Sequence, residues 1–189
     1  MPILAQLPNE LLSAIINKIA AENNQAALAS CRLTSHVLCS LATPLFFSSL
    51  ELSYVWSYRD DSDPMDRGRK LLKLLSIPDI AALVHTFTLC CQQQILQNLK
   101  AGPLISEILY RLQHIRNLTF KFRWISLSSS FSSFSSFPSD LSSAIEALCK
   151  SPNLTTLDLS DISHFPLRFI TACPNLRCLR LTCVYFAVI

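Results

Sequence analysis

The chain has 189 residues, half of them apolar and only 15% charged, so it can bury a sizeable core and its composition excludes a disordered polymer. The 16 Lys and Arg against 13 acidic residues leave +3, too weak an excess to call for nucleic acid or an anionic membrane. Eight cysteines show no C-x-x-C pair and no histidine at zinc-ligand spacing, which predicts buried reduced thiols, no metal site and no cofactor.

The chain opens on no basic leader, and a helix start follows at once. In "LPNELLSAIINKIA", Leu11, Leu12, Ile15, Ile16 and Ile19 fall three and four apart, the spacing of a helix. They come as adjacent pairs and so make two apolar stripes, whereas one stripe suffices to dock a helix on its own core. Pro8 and Glu10 suit a first turn. Asn23-Asn24 predicts a turn and N-cap, followed by a second helix over Gln25–Leu33. Thr34 or Ser35 caps a third, expected to stop at Thr43-Pro44.

Beyond Pro44 the frame becomes apolar-x-x-apolar-x-apolar. It is clearest in "LTTLDL" from Leu154 and "LRCLRL" from Leu176, 22 residues apart and each after Pro-Asn. Looser copies begin at Phe47, Val84 and Ile115. Helical stretches at Arg69–Leu75 and Leu104–Leu112 lie between them. Strand followed by helix at this interval predicts an α/β fold with parallel strands stacked as a short irregular solenoid of leucine-rich type; an α/β layer without regular repeats is the alternative.

Arg67-Gly68-Arg69-Lys70 sits close behind the acidic run Asp60-Asp61-Ser62-Asp63, and the two read as a solvated loop. "SLSSSFSSFSSFPSDLSS", residues 126–143, holds 11 serines and reads as a mobile insertion to which Phe131, Phe134 and Phe137 add loose contacts. Neither Gly68 nor Gly102 lies in a phosphate cradle. The Asp61, Asp63, Asp66 spacing is broken by Pro64 and lacks the glycine and glutamate of a calcium loop. His36, His85, His114 and His164 are scattered singly. These residues predict binding rather than catalysis, with no catalytic residue to name.

The N-terminal stretch resembles the F-box, a three-helix motif opening with Leu-Pro-x-Glu-Leu-Leu. The matching positions are Leu7, Pro8, Glu10, Leu11, Leu12, Ile15, Ile16 and Ile19, then Leu28, Cys31, Leu38 and Leu41. An F-box ahead of leucine-rich-like repeats is similar to the F-box proteins common in mushroom-forming fungi. The third helix departs from the pattern, with His36 and Val37 where an aromatic is usual. Ile162 and Val184 stand where many leucine-rich repeats have Asn or Cys.

The resemblance implies a three-helix module over 1–45 and a repeat region over 46–189. It also implies a substrate receptor of a Skp–cullin–F-box ubiquitin ligase, cytoplasmic or nuclear. Its adaptor-binding residues would be Leu7, Pro8, Glu10, Leu11, Ile15, Ile16 and Ile19, with a target protein on the repeats and neither nucleic acid nor membrane as partner. A scaffolding repeat protein whose F-box-like helices only cap the solenoid is the alternative.

Strand alternation predicts an outward face along the five frames. It runs through Ser49, Glu51 and Ser53, then Thr86, Thr88 and Cys90, then Asn117, Thr119 and Lys121, then Thr156, Asp158 and Ser160, and finally Cys178, Arg180 and Thr182. Glu51, Thr88, Lys121, Asp158 and Arg180 are the expected target contacts, although the charges among them alternate in sign and are able to satisfy one another instead. The closing "VYFAVI" carries no polar capping repeat and predicts an apolar edge around Tyr185 and Phe186 that is either covered by further sequence or is itself a contact surface.

Overall fold

The computed structural model describes residues 7–54, 64–92, 101–122, 132–134 and 137–187. It divides into two compact units, Met1–Ser49 and Leu50–Ile189. The acidic residues 60–63, and with them the spacing of Asp61 and Asp63, lie outside the described residues, as do Phe131 and the serines before it.

The first unit holds α1 (Asn9–Ala21), α2 (Gln25–Thr34) and α3 (His36–Phe47). Pro8 takes the N-cap position, and its carbonyl accepts from the Leu11 and Leu12 N–H groups at 3.1 Å. Asn23 turns the chain with φ 54°, a left-handed conformation that asparagine tolerates. Asn24 Oδ1 then accepts from the Ala27 N–H at 3.0 Å, and Ser35 Oγ accepts from Leu38 N–H at 3.2 Å, so two expected caps form. Leu12, Ile16, Leu28, Leu38 and Ala42 make the core.

The expected stop at Thr43-Pro44 does not occur, and α3 runs through Pro44 to Phe47. Proline removes one N–H bond near the helix end, where Ser40 and Pro44 face solvent. Leu45 and Phe46 pack on the core, and the Arg32 guanidinium lies 4.6 Å from the ring centres of both Phe46 and Phe47. Arg32 Nε also donates to Thr43 Oγ1 at 3.2 Å. Those contacts outweigh one lost bond.

The second unit runs β1 (Ser49–Tyr54), α4 (Pro64–Leu75), α5 (Pro78–Leu83), β2 (Thr86–Cys91), α6 (Ala101–Arg111), β3 (Asn117–Phe122), β4 (Ser132–Ser133), α7 (Ser139–Cys149), β5 (Thr156–Phe165), α8 (Leu167–Thr171) and β6 (Cys178–Phe186). Its sheet has the order β1-β2-β3-β5, with β6 on the other edge of β5. The pairings β2–β3, β3–β5, β4–β5 and β5–β6 are parallel. All five frames found in the sequence become strands.

Over the frames of β2, β3, β5 and β6 the register aligns, and it shifts only further along β5–β6, between Ile162 and Phe165: Phe87 faces Leu118, Leu118 faces Leu157 and Leu157 faces Leu179, with Leu89, Phe120, Leu159 and Leu181 one row on. Alternation therefore sends whole rows inward together. In the three middle frames all nine apolar positions are buried, from Val84 through Ile115 to Leu159. Ile105, Ile108 and Leu109 of α6, with Leu141, Ala144, Ile145 and Leu148 of α7, recur at helical spacing and join the same core.

A repeated hydrogen-bond step sets the stacking. The His85 carbonyl accepts from the N–H groups of Arg116 and Asn117, that of Arg116 from Thr155 and Thr156, and that of Thr155 from Arg177 and Cys178, all at 2.8–3.0 Å. The two Pro-Asn pairs join in. Asn153 Nδ2 donates to the Gln113 carbonyl at 3.0 Å, and Asn175 Nδ2 to that of Pro152 at 2.8 Å.

Two expectations are overturned. Arg67-Gly68-Arg69-Lys70 is helical, within α4, and Gly68 is buried because a Cβ there would meet the Tyr54 hydroxyl and Leu104 Cδ2. The serine-rich stretch is not an insertion loosely laid on the surface over its described part. Phe134 and Phe137 are only 6% and 8% exposed and belong to the main core, and Ser139–Ser143 open α7. β4 pairs with Ile162 and Ser163 of β5, resuming the lane that β3 leaves at Lys121. Serine bias hid three phenylalanines at every third position, two of them buried.

Candidate functional site

The expected adaptor-facing residues separate into two groups. Leu11 and Ile15 of α1 are 53% and 45% exposed, one turn apart on the outer side of the helix. Pro8 and Glu10 are exposed beside them. Ile16, expected with this set, is instead 1% exposed and sits in the three-helix core with Leu12, so it offers nothing to a partner. Leu7 and Ile19 are half-buried against that core. The two stripes read from the sequence are thus one core stripe and one open stripe.

Leu33 and Val37, at the α2–α3 junction, are exposed as well. Leu33 stands five residues after Leu28, off the three-and-four spacing of the buried face, and that misfit is the signal that finds it.

On the sheet, Thr88, Asp158 and Arg180 share one outward row through the register Thr88–Thr119–Asp158–Arg180. Lys121 lies one row further, opposite Ser160, and Glu51 is exposed on β1. Cys90 departs from the expected open face, being only 6% exposed. Asp158 and Arg180 face each other across β5 and β6, yet no ion pair within 4.0 Å joins them among the described residues. The neighbouring row Thr86–Asn117–Thr156 carries a neutral contact, Asn117 Nδ2 donating to Thr86 Oγ1 at 3.1 Å.

The histidine and cysteine contacts lie at the bend of β5 and in the core. His164 Nδ1 lies 3.2 Å from both Ser133 Oγ and Ser163 Oγ, in a stretch where Asp161 and His164 have positive φ. That contact clasps β4 to β5 at the bend. Burial pushes the Cys91 thiol well above its ordinary value, with Cys90 adding to it, and burial and the neighbouring Cys173 do the same to Cys149. A thiol kept neutral by burial packs as a small hydrophobe.

The described residues include no cluster of three or more His, Cys, Asp or Glu able to hold a metal, and no helix among them is long and apolar enough to cross a membrane. On the helix side, a shallow groove is lined by Leu109, Tyr110, Ala144, Ala147 and Leu148. Comparison of the chain with family models, with curated proteins and with solved structures finds no match.

Proposed function

We propose that the chain is a non-catalytic receptor that carries a protein target to a ubiquitin ligase, docking its three-helix unit on a Skp-type adaptor, and through it a cullin, while the α/β unit presents the target. The observation that carries this reading is the open stripe of α1. Leu11 and Ile15 are large aliphatics about half exposed on a helix whose core needs are already met by Leu12 and Ile16. Fully burying an exposed leucine or isoleucine gains about 1.5–3 kcal/mol, so covering these half-exposed side chains gains roughly half of that each, and such a stripe is a candidate interface. The Leu7-Pro8-x-Glu10-Leu11-Leu12 resemblance names the kind of partner, and the recurring strand-and-carbonyl step fits a leucine-rich-like solenoid.

The same recurring step also favours a second reading, a scaffolding repeat protein with no ligase behind it. Titrating the purified chain with its host's Skp adaptor separates the two. Micromolar or tighter binding that disappears in Leu11→Asp/Ile15→Asp supports the receptor, and no binding by the folded wild-type chain leaves the scaffold.

A further inference from the structure

Two of the eight cysteines meet across neighbouring rungs of the α/β unit. Cys149 is the last residue of α7 and is 0% exposed, while Cys173 follows the end of α8 and is half-buried against the same core. They lie 24 residues apart in the sequence, each just ahead of one of the two Pro-Asn turns. Those turns are pinned side by side, because Asn175 Nδ2 donates to the Pro152 carbonyl at 2.8 Å. The backbone beside each thiol is fixed as well. Lys150 N–H donates to the Glu146 carbonyl at 3.0 Å, and Cys173 N–H to that of Ile170 at 3.2 Å.

The contact between the thiols has a direction. Cys173 Sγ donates to the Phe169 carbonyl at 3.2 Å, which leaves its lone pairs to receive the Cys149 S–H. Burial disfavours ionisation of both thiols, but that donated hydrogen bond favours the Cys173 thiolate and disfavours the Cys149 one. A thiol reacts as its thiolate and only where a reagent reaches it. Cys173 is both the more open of the two and the one whose anion has a donor waiting.

We propose that Cys149 and Cys173 are a redox-sensitive clasp, a dithiol that a peroxide converts to a disulfide tying α7 to the rung of α8. The Cys173 thiolate attacks one peroxide oxygen, the O–O bond breaks, and the departing hydroxide takes up a proton as water. The Cys149 sulfur then gives up its proton and attacks the sulfenic sulfur of Cys173. The S–S bond forms, the S–O bond breaks, and the hydroxyl leaves with a proton as a second water. The two thiols lose two electrons and the peroxide gains them. The clasp lies within the α/β unit and stands apart from the adaptor reading.

The test exposes the purified reduced chain to hydrogen peroxide, blocks the remaining thiols with iodoacetamide in denaturant, and digests with trypsin. Trypsin leaves Cys149 in residues 124–150 and Cys173 in residues 169–177, each the single cysteine of its peptide. The expected product is these two peptides joined, and separated again by dithiothreitol. Its rate of formation should rise with pH, since burial keeps the thiolates scarce. Closing a loop of this length should raise Tm by on the order of 10 °C over the reduced chain, and peroxide should leave the Tm of Cys173→Ser where it was.

Recovery of both peptides with alkylated cysteines, while the exposed Cys183 is oxidised, overturns the proposal. So does either peptide joined chiefly to another cysteine, or a joined pair that leaves Tm unchanged or lower. In urea the nearer Cys173–Cys178 pair is favoured by loop closure, so the Cys149–Cys173 link should fall several-fold; an equal yield there would show chance pairing and overturn the clasp. If Cys173→Ser fails to fold, the peptide maps of the wild-type chain still decide.

Discussion

Phe134→Ala is the sharpest test of how the serine-rich stretch is used. The ring is 6% exposed, and its centre lies 4.8 Å from that of Phe137, 5.1 Å from Phe165 and 5.4 Å from Phe169. Phe137 in turn reaches Phe122 at 5.4 Å, so one side chain joins β3, β5 and α8 through rings. Truncating a buried phenylalanine costs about 3–5 kcal/mol, and each tilted or edge-on ring pair contributes about 0.5–1.5 kcal/mol of that beyond area alone. Phe165 and Phe169 still hold each other at 5.8 Å, so the cavity has no easy way to collapse. In a chain of this size 1 kcal/mol moves Tm by about 2–4 °C, which gives a fall on the order of 10 °C. Calorimetry with a urea titration measures it. Leu167→Ala, at a 46% exposed position of α8, is the control and should stay within about 0.5 kcal/mol. A Phe134→Ala Tm within about 2 °C of wild type would falsify the core assignment and return the stretch to a surface loop.

Four further outcomes are expected. Leu11→Asp/Ile15→Asp should leave thermal unfolding within about 1 kcal/mol of wild type, since both side chains are exposed, and circular dichroism melts check this independently of any adaptor. Gly68→Ala should destabilise although alanine is the better helix former by about 1 kcal/mol, because its Cβ meets the Tyr54 hydroxyl; the cost should shrink in a Tyr54→Phe background, a double-mutant cycle read by urea unfolding. Cys91 and Cys149 have raised folded pKa values, so the stability they contribute is full below the unfolded thiol value near 9.0 and is lost as pH climbs beyond it; Cys91→Ala should flatten the fall in urea midpoint above that pH. Glu146 is held below the usual carboxylate range by the Lys150 ammonium 2.7 Å away, so any stability from this exposed pair is present above the unfolded carboxylate value and lost as pH falls; Glu146→Gln should change Tm little at pH 7 and less still in acid.

The strands were legible because the frame apolar-x-x-apolar-x-apolar carries two constraints at once. Positions four and six alternate onto one face of a strand, and position one seals the turn before it, as Val84, Ile115 and Leu154 do at 0–1% exposure. The caps at Asn24 and Ser35 were legible for an equally local reason, a side-chain oxygen three residues before a free N–H. What escaped was decided by partners distant in sequence. Pro44 reads as a stop until Arg32, 12 positions earlier, is seen between Phe46 and Phe47. Phe134 reads as loop until Phe165 and Phe169 arrive from β5 and α8.

The candidate surfaces follow the same division. Two stripes on α1 are a local pattern and were visible, but which stripe faces inward depends on where Leu28, Leu38 and Ala42 of α2 and α3 come to rest. The pattern alone therefore does not tell that Ile16 faces inward while Leu11 and Ile15 face out. On β6 the local pattern is indistinguishable from that of β5: Leu179 and Leu181 carry the same frame as Leu157 and Leu159 and hold the same register. Period-2 alternation states only which face a leucine points to. Whether that face is covered depends on what lies over it, so an exposed copy of a core sequence is a place where neighbouring structure, rather than residue choice, sets the surface.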